Sequence, residues 1–187
     1  KKADSIDKNI NLLIIGGSQG AKVFDTLIKS SIIKLSKKYI LKIYQQTNSL
    51  NFEILKKFYK GKNIDCELFN FNEDISDLMS KSNICITRAG ASTLAELVFI
   101  NLPCVTIPLP TSKDNHQFEN ASFYNKKGCN WILNENEIND EEVTNKLFDI
   151  IDNKSELIIK KINMKNFSYQ NTWNNINHKI ISIINEN

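Results

Sequence analysis

Residues 11–35 read NLLIIGGSQGAKVFDTLIKSSIIKL, and this stretch decides the fold class. A short run of leucine and isoleucine, typical of a buried strand, ends at a pair of glycines. Apolar residues then recur at helical spacing up to residue 35. The stretch therefore predicts a strand, a glycine-rich turn and a helix, which together form the first unit of a parallel α/β sheet.

The same alternation continues along the rest of the chain. Five further strands are predicted, at residues 39–46, 64–71, 83–87, 104–109 and 129–133. Helical patterns are found at residues 51–60, 74–82, 92–100, 115–127, 140–151, 155–165 and 171–184. Six strands separated by helices predict one doubly wound, Rossmann-type parallel sheet that occupies residues 1–187 as a single domain. In such a sheet ligands bind beyond the carboxyl ends of the strands, so the strand-to-helix turns are the places to search for a site.

Composition excludes several classes of protein. The formal net charge of +3 is spread over many lysines, which gives no case for a nucleic-acid partner. The four cysteines occur singly and there are only two histidines, so we expect reduced thiols, no metal site and a cytosolic compartment. No apolar run approaches the ~20 residues that cross a bilayer. Residues 1–10 are polar and lack an initiator methionine, so we expect the chain to begin inside a longer protein.

The first turn, GGSQGAK at residues 16–22, has the composition of a phosphate-binding loop. Glycines let the backbone approach a ligand, and the N-terminus of the following helix favours anions. It is neither a Walker A loop nor a complete G-x-G-x-x-G motif. Strand two ends Gln45-Gln46-Thr47, without the acidic residue that a nicotinamide dinucleotide site uses for the ribose. A tight turn that needs glycine for its geometry alone remains the alternative.

The second turn, ITRAGASTLAE at residues 86–96, allows two interpretations. Ser92 or Thr93 could be the helix N-cap, with Thr93 and Glu96 at the spacing of a capping box. Alternatively, the small residues before the helix leave backbone amides open to an anion, and Glu96 accepts hydrogen bonds from a ribose diol. Arg88, the only arginine, is either a phosphate clamp or a tie from the strand end to carbonyls or a carboxylate. Its position before the glycine favours the tie.

The turn at residues 107–121, IPLPTSKDNHQFENA, follows the fifth strand. Asp114 is a candidate N-cap, and His116 and Gln117 fall in the first helical turn. Both side chains can pair with sugar hydroxyls. The alternative is a solvated histidine with no partner, and no serine or carboxylate is placed beside it as a catalytic triad requires.

The turn at residues 69–79, FNFNEDISDLM, follows the third strand. The backbone at Phe71 and Asn72 is placed to meet the flat edge of a base. An ordinary turn with Asp74 as the N-cap of the next helix is the alternative.

Four of these segments occur together in a recognisable order. GGSQGA, TRAGASTLAE, LPCVTIPLP and DNHQFENA resemble the C-terminal half of the MurG family over residues 11–133. Members of this bacterial family transfer N-acetylglucosamine to undecaprenyl-pyrophosphoryl-N-acetylmuramyl-pentapeptide, which converts lipid I into lipid II in peptidoglycan synthesis. The resemblance implies a GT-B fold, in which two Rossmann-like domains enclose the active site. It also implies that this chain is the domain that binds the donor, UDP-N-acetylglucosamine.

Carried over by position, the resemblance assigns a role to each turn. It places Ser18 and Gln19 near the diphosphate, the backbone at Asn72 on the uracil edge, and Glu96 on the ribose. Ser92 and Thr93 would lie at the diphosphate, and His116 and Gln117 would address the N-acetylglucosamine hydroxyls. The full donor-binding set that it implies is Gly17, Ser18, Gln19, Phe71, Asn72, Ala91, Ser92, Thr93, Leu94, Ala95, Glu96, His116 and Gln117, with Arg88 and Gly90 in supporting positions.

The chain also departs from the family pattern. Asn72 stands where the family has an aliphatic residue, and strand two ends QQTN instead of HQTG or HQSG. The glycine-rich N-terminal loop with its histidine and the interdomain NPVR segment are absent from these residues. We therefore expect the catalytic base, the lipid I site and the membrane-facing surface in another domain. We expect this chain alone to be soluble and inactive, without metal or cofactor. The family implies peripheral attachment to the cytoplasmic face of the bacterial inner membrane.

Two alternatives remain at this point. One is a free-standing donor subunit of a two-chain, lipid-linked N-acetylglucosamine transferase. The other belongs to a different class: a nicotinamide-dependent oxidoreductase or a non-catalytic nucleotide-binding module. The missing acidic residue after strand two argues against the oxidoreductase.

Overall fold

The computed structural model describes residues 8–16 and 22–170, together with residues 178, 181 and 182. Within these residues the chain forms one six-stranded sheet in the order β3-β2-β1-β4-β5-β6. All of its neighbouring strands pair in parallel. The strands are β1 Asn9–Ile15, β2 Ile40–Gln46, β3 Asp65–Phe69, β4 Ile84–Thr87, β5 Cys104–Thr106 and β6 Asn130–Ile132. The predicted doubly wound parallel sheet is confirmed.

Helices connect successive strands, and two helices follow the last strand. They are α1 Lys22–Leu27, α2 Lys29–Ser36, α3 Ser49–Gly61, α4 Ile75–Lys81, α5 Ala91–Ile100, α6 His116–Lys126, α7 Asp140–Asp152 and α8 Lys154–Gln170. A short 3₁₀ turn, Lys113–Asn115, precedes α6. The helix predicted to run continuously to residue 35 is divided at Ile28, where α1 ends and α2 begins. The helical pattern at residues 171–184 lies largely outside the described residues.

The sheet is covered on both faces, so β4 and β5 are buried along their whole length and β1 along most of it, whereas the edge strand β3 is only partly buried. Alternate side chains of β1 separate into two clusters: Ile10, Leu12 and Ile14 pack with α1, α2, α3 and α7, whereas Leu13 and Ile15 pack with α4, α5, α6 and α8. Burying one such side chain contributes about 1.5–3 kcal/mol. Because successive strand residues point to opposite faces, the register of β1 fixes both layers at once.

The strand order reverses direction between β1 and β4. Ile15 of β1 pairs with Thr87 of β4, and the amide of Arg88 donates to the Ile15 carbonyl at 3.3 Å. This reversal is the topological switch point, at which doubly wound sheets form a crevice beyond the strand ends. The helices that follow β1 and β4 are α1 and α5, so their first turns flank the crevice.

Among the described helices, none combines the length and apolar character that a membrane span requires. The described side chains also contain no group of three or more His, Cys, Asp or Glu residues arranged to hold a metal ion.

Candidate functional site at the carboxyl edge of the sheet

Helix α5 begins at the switch point without a side-chain cap. Its N-cap is Gly90 (φ −66°, ψ 136°), and no side chain in the described part of the chain accepts a hydrogen bond from the first turn. The amide of Leu94 is the first to enter the helical ladder, donating to the Gly90 carbonyl at 3.0 Å. Within the described residues, the amides of Ala91, Ser92 and Thr93 have no hydrogen-bond partner, which leaves them for an external acceptor, in the way that helix N-termini receive anions.

The predicted capping box in this helix is wrong. Thr93 lies inside the first turn, not at its start, because α5 begins at Ala91. Glu96 is consequently too far along the helix to reach the N-cap amide, and its exposed side chain forms no hydrogen bond within the described residues. This result leaves the carboxylate of Glu96 available as an acceptor, as the alternative interpretation requires.

The remaining predicted residues of this turn differ in what they can offer. Ala91, Ser92, Ala95 and Glu96 are exposed, and Thr93 is half-buried. The side chain of Leu94 is fully buried in the cluster beneath α5 and its amide is already paired. The geometry therefore leaves Leu94 a packing role and gives no support to a direct contact with ligand.

Arg88 ties three strand ends together beneath the turn. Its side chain is 10% exposed, and Nη1 donates both to the Ile107 carbonyl at 2.9 Å and to the carboxylate of Glu135. The guanidinium lies over the ring of Phe24 in α1, 5.2 Å from its centroid. The structural interpretation of Arg88 is confirmed, since the group is committed to a carbonyl and a carboxylate.

His116 and Gln117 form the first turn of α6, as predicted, and their free atoms are complementary. Nδ1 of His116 lies 2.7 Å from the Lys113 carbonyl, which assigns the ring proton to Nδ1 and leaves Nε2 as an acceptor. The amide oxygen of Gln117 accepts from the Leu109 amide at 2.9 Å, which leaves its Nε2 as a donor. One acceptor and one donor on adjacent residues suit a hydroxylated ligand.

Asp114 is not the cap of α6, contrary to the prediction. The N-cap position belongs to Asn115, and neither side chain accepts a hydrogen bond from the helix start. Both residues lie in the left-handed region, with φ of 51° and 54°. A polar residue before a helix predicts an N-cap. The left-handed backbone at these two residues, however, differs from the extended conformation that a capping residue typically adopts.

The turn after β3 holds Phe71 and Asn72 at the same edge of the sheet. Phe71 is 79% exposed, whereas the side-chain oxygen of Asn72 accepts from the Asp74 amide at 2.8 Å. Asp74 is the N-cap of α4, as predicted, but its side chain accepts from Ser76 instead of capping the helix. The side-chain oxygen of Asn72 is thus used within its own turn, and the backbone of this residue remains available to meet a ligand.

These turns lie along one edge, although not side by side. The end of β3 is separated from the end of β4 by β2 and β1, three strand spacings or about 14 Å. Closer to β4, the side-chain amide of Asn120 in α6 donates to the Ala89 carbonyl at 3.1 Å and joins the α6 turn to the α5 turn. An extended ligand, not a compact one, is needed to touch all the predicted residues. Gly17, Ser18 and Gln19 lie outside the described residues.

A buried polar network beside the crevice was not found from the sequence. Asp25 of α1 is 5% exposed and accepts from Gln45 at 2.8 Å, Thr47 at 3.2 Å and Asn51 at 2.6 Å. Tyr59 donates to the oxygen of Gln45, and burial raises the pKa of Tyr59, so its hydroxyl stays protonated. The network joins α1 to the end of β2 and the start of α3.

Glu135 was also missed, because nothing in its own segment marks it. An aspartate or glutamate in a polar stretch is usually solvated. The only available signal was Arg88, the single arginine, at the end of a buried strand. A buried guanidinium needs a carboxylate partner, but the sequence does not indicate which carboxylate that is.

A comparison with models of protein families identifies the family to which this fold belongs. The model described as the glycosyltransferase family 28 C-terminal domain matches residues 11–176, most of the chain. The chain belongs to this family. Its fold is accordingly that of the C-terminal, Rossmann-like half of a GT-B glycosyltransferase, as the resemblance implied.

Individual relatives of this glycosyltransferase 28 domain carry more specific names. A Pelagibacter ubique protein named UDP-N-acetylglucosamine--N-acetylmuramyl-(pentapeptide) pyrophosphoryl-undecaprenol N-acetylglucosamine transferase is 68% identical over 178 residues, covering 95% of this chain and 50% of the relative. A Rickettsia bellii protein of the same name is 37% identical, covering 82% of this chain and 44% of the relative. The crystal structure of Acinetobacter baumannii MurG superposes with a TM-score of 0.76 at 29% identity, covering 87% of this chain and 47% of that one. The chain thus spans about half the length of the relatives it matches.

Proposed function

We propose that this glycosyltransferase 28 domain binds UDP-N-acetylglucosamine as the donor half of a transferase that converts lipid I into lipid II. The observation that carries the proposal is the 68% identity to the Pelagibacter transferase across 95% of the chain. That relative holds a matching segment and an equally long remainder in one polypeptide. The comparison supports a single-chain enzyme over a two-chain one.

The uncapped start of α5 supports a specific role in this reaction. As the acceptor C4 hydroxyl attacks the anomeric carbon, the bond to UDP breaks and negative charge grows on the diphosphate. The free amides of Ala91, Ser92 and Thr93, with two hydroxyls beside them, are fixed donors for that charge. One such donor in a desolvated site contributes about 3 kcal/mol to transition-state stabilisation. The proposal requires no metal, and it assigns the general base to the other half of the enzyme.

The remaining contacts follow from the free atoms at the edge. The carboxylate of Glu96 would accept from the ribose diol, and the backbone at Phe71 and Asn72 would meet the uracil. Nε2 of His116 would accept from one N-acetylglucosamine hydroxyl and Nε2 of Gln117 would donate to another. Ser18 and Gln19 complete the proposed diphosphate site from the β1 side.

Calorimetric titration of the full-length protein with UDP-N-acetylglucosamine tests the proposal. We expect saturable binding, competition by UDP and no binding of NAD at the same concentration. The 187-residue chain alone should bind more weakly and turn over no donor. Saturation by NAD without binding of the uridine nucleotide would contradict the proposal and favour an oxidoreductase. Co-purification with a separate acceptor-domain protein would favour the two-chain alternative.

For the whole enzyme we propose peripheral attachment to the cytoplasmic face of the inner membrane through the acceptor half. Sedimentation with vesicles of anionic bacterial lipids, compared between the full-length protein and this chain, tests this point. Binding by the full-length protein alone is expected. Equal binding of both would assign the contact to this domain.

A further inference from the structure

The segment between β4 and α5 is held in place by side chains that come from outside α5. Arg88 reaches the end of β5 and the loop after β6, and Asn120 of α6 fixes the Ala89 carbonyl. Gly90 contributes no side chain, and the helix supplies no cap. The direction of the free first-turn amides therefore depends on these external ties.

Glu135 completes the stronger of the two ties. Its side chain, 23% exposed, lies in the loop after β6, and it pairs with Arg88 across the end of β5. The pair is largely shielded from water, since Arg88 is only 10% exposed. Removing one member of a buried pair leaves an uncompensated charge, which is strongly unfavourable in a poorly hydrated site.

We propose that Glu135 is a positioning residue for the donor diphosphate, acting through Arg88 on the N-terminus of α5. This inference rests on the proposed function of the same site. With its carboxylate present, the guanidinium is held under the turn between Ile107 and Phe24. Without the carboxylate, the guanidinium is drawn toward water, and the backbone from Arg88 to Gly90 moves with it. The amides of the first turn then lose their alignment with the diphosphate.

The test compares Glu135→Ala and Glu135→Gln in the full-length protein. Calorimetry measures the affinity for UDP, ligand-observed NMR measures the affinity for uridine, and thermal denaturation measures Tm. We expect Glu135→Ala to weaken UDP binding about 10-fold, the effect of one misaligned charge-assisted hydrogen bond. Glu135→Gln keeps an oxygen for Arg88 and should weaken UDP binding about 3-fold. Uridine, which has no phosphate, should bind all variants with nearly equal affinity.

Two control variants separate positioning from general stability. Glu137→Ala removes an exposed carboxylate from the same loop and should leave UDP binding unchanged. Ser31→Ala removes the buried hydrogen bond to Thr144 between α2 and α7, so it lowers Tm without touching the site. If Glu135→Ala lowers Tm as Ser31→Ala does but binds UDP as the wild type does, the inference is overturned.

The remaining outcomes are equally decisive. Tighter UDP binding by Glu135→Ala would show that the carboxylate competes with phosphate for Arg88, which also overturns the inference. If Glu135→Ala does not fold, the UDP-to-uridine affinity ratio of Glu135→Gln decides, and an unchanged ratio counts against positioning. A wild-type protein that fails to bind UDP would overturn the proposed function itself, whereas normal wild-type binding with unaffected variants overturns this inference alone.

Discussion

Helices α5 and α7 begin in opposite ways. At α7, Asn139 accepts from the amides of Glu141 and Glu142 at 2.9 and 3.0 Å, and the carboxylate of Glu142 returns to the Asn139 amide at 2.9 Å. This is a complete capping box. At α5, Gly90 occupies the same position, and among the residues that the structure describes no side chain caps the turn. The start of α7 is closed, in that its own side chains pair the first-turn amides. The start of α5 is open, in that no described side chain pairs them.

The position of each helix in the sheet explains the difference. Helix α7 follows the edge strand β6, where its amides have no other use and a cap stabilises the fold. Helix α5 begins at the switch point, where a side-chain cap would occupy the place that the proposed diphosphate needs. A third helix start, that of α3, is closed by Asn48, which accepts from the Asn51 amide at 3.0 Å. Side-chain caps are thus present at α3 and α7, whereas α5 shares with α2, α4 and α6 the lack of a cap from its N-cap residue.

Adding a side-chain cap to the start of α5 should have the largest effect, and it should act on the affinity for UDP. Gly90→Asp adds a capping carboxylate at a backbone conformation that any residue adopts, and its Cβ meets only Thr93 Oγ1, at 3.8 Å. We expect UDP affinity to fall about 100-fold or more, because like charges 4 Å apart near a protein surface repel by ~4 kcal/mol. Stability should rise by a few tenths to about 1 kcal/mol. Calorimetry and thermal denaturation measure the two opposite changes.

Gly90→Asn is the matched control, since it caps the helix without adding charge. It should weaken UDP binding less than Gly90→Asp does. If Gly90→Asp keeps the wild-type affinity for UDP, the diphosphate does not bind at the start of α5. The difference between the N-termini of α5 and α7 would then be unrelated to donor binding.

Disrupting the polar network at the capped start of α3 should have the next largest effect. Asp25→Asn replaces an acceptor of three hydrogen bonds by a group whose NH₂ faces other donors. We expect the free energy of unfolding to fall by about 2 kcal/mol. Urea denaturation measures it, with Glu53→Gln as a control, because Glu53 is exposed on α3. A change no larger than that of the control would mean that the network does not stabilise this corner.

Glu96→Gln tests the carboxylate that the absent capping box leaves free. We expect a roughly 10-fold loss of UDP affinity, about 1.4 kcal/mol, with Tm unchanged. The wild type should prefer UDP to 2′-deoxy-UDP, and the variant should lose most of that preference. Glu141→Gln, an exposed position on α7, is the control. A retained preference for the ribose would remove Glu96 from the proposed site.

Removing the side-chain cap of α7 should give the smallest effect. Asn139→Ala removes both bonds that its side chain accepts and should lower the free energy of unfolding by about 1 kcal/mol. UDP affinity should stay at the wild-type value, because α7 begins beyond the edge strand. Asn145→Ala, exposed within the same helix, controls for the substitution itself. Weaker UDP binding in Asn139→Ala would show that the two helix starts are coupled.

Most of the fold could be predicted from periodicity. All six strands were expected where they occur, because short runs rich in apolar residues alternate with amphipathic segments, even at β3, which is only partly buried. The break at Ile28 was not expected, since an apolar residue at helical spacing gives no local signal for it. Cap assignments failed at Thr93 and Asp114 for a related reason. Several neighbouring residues can cap a helix, and the tertiary path of the chain selects among them.

The candidate site could be predicted only in part. His116 and Gln117 were placed correctly in the first turn of α6, but the tautomer and the free amide group follow from contacts with Lys113 and Leu109. Asp25 gave no signal, because an acidic residue in an amphipathic helix normally faces solvent.

The sequence by itself determined the parallel sheet, the order of its turns and the family, because these depend on local periodicity and on motifs that keep their spacing. Only the tertiary structure decided which helix starts carry a side-chain cap, as α3 and α7 do, and which do not, as at α5. It also decided that Arg88 is paired with Glu135, 47 residues later, across the end of a strand that lies between them. The physical reason is that burial and pairing are properties of three-dimensional neighbours, and a charged side chain shows its partner only when the chain is folded.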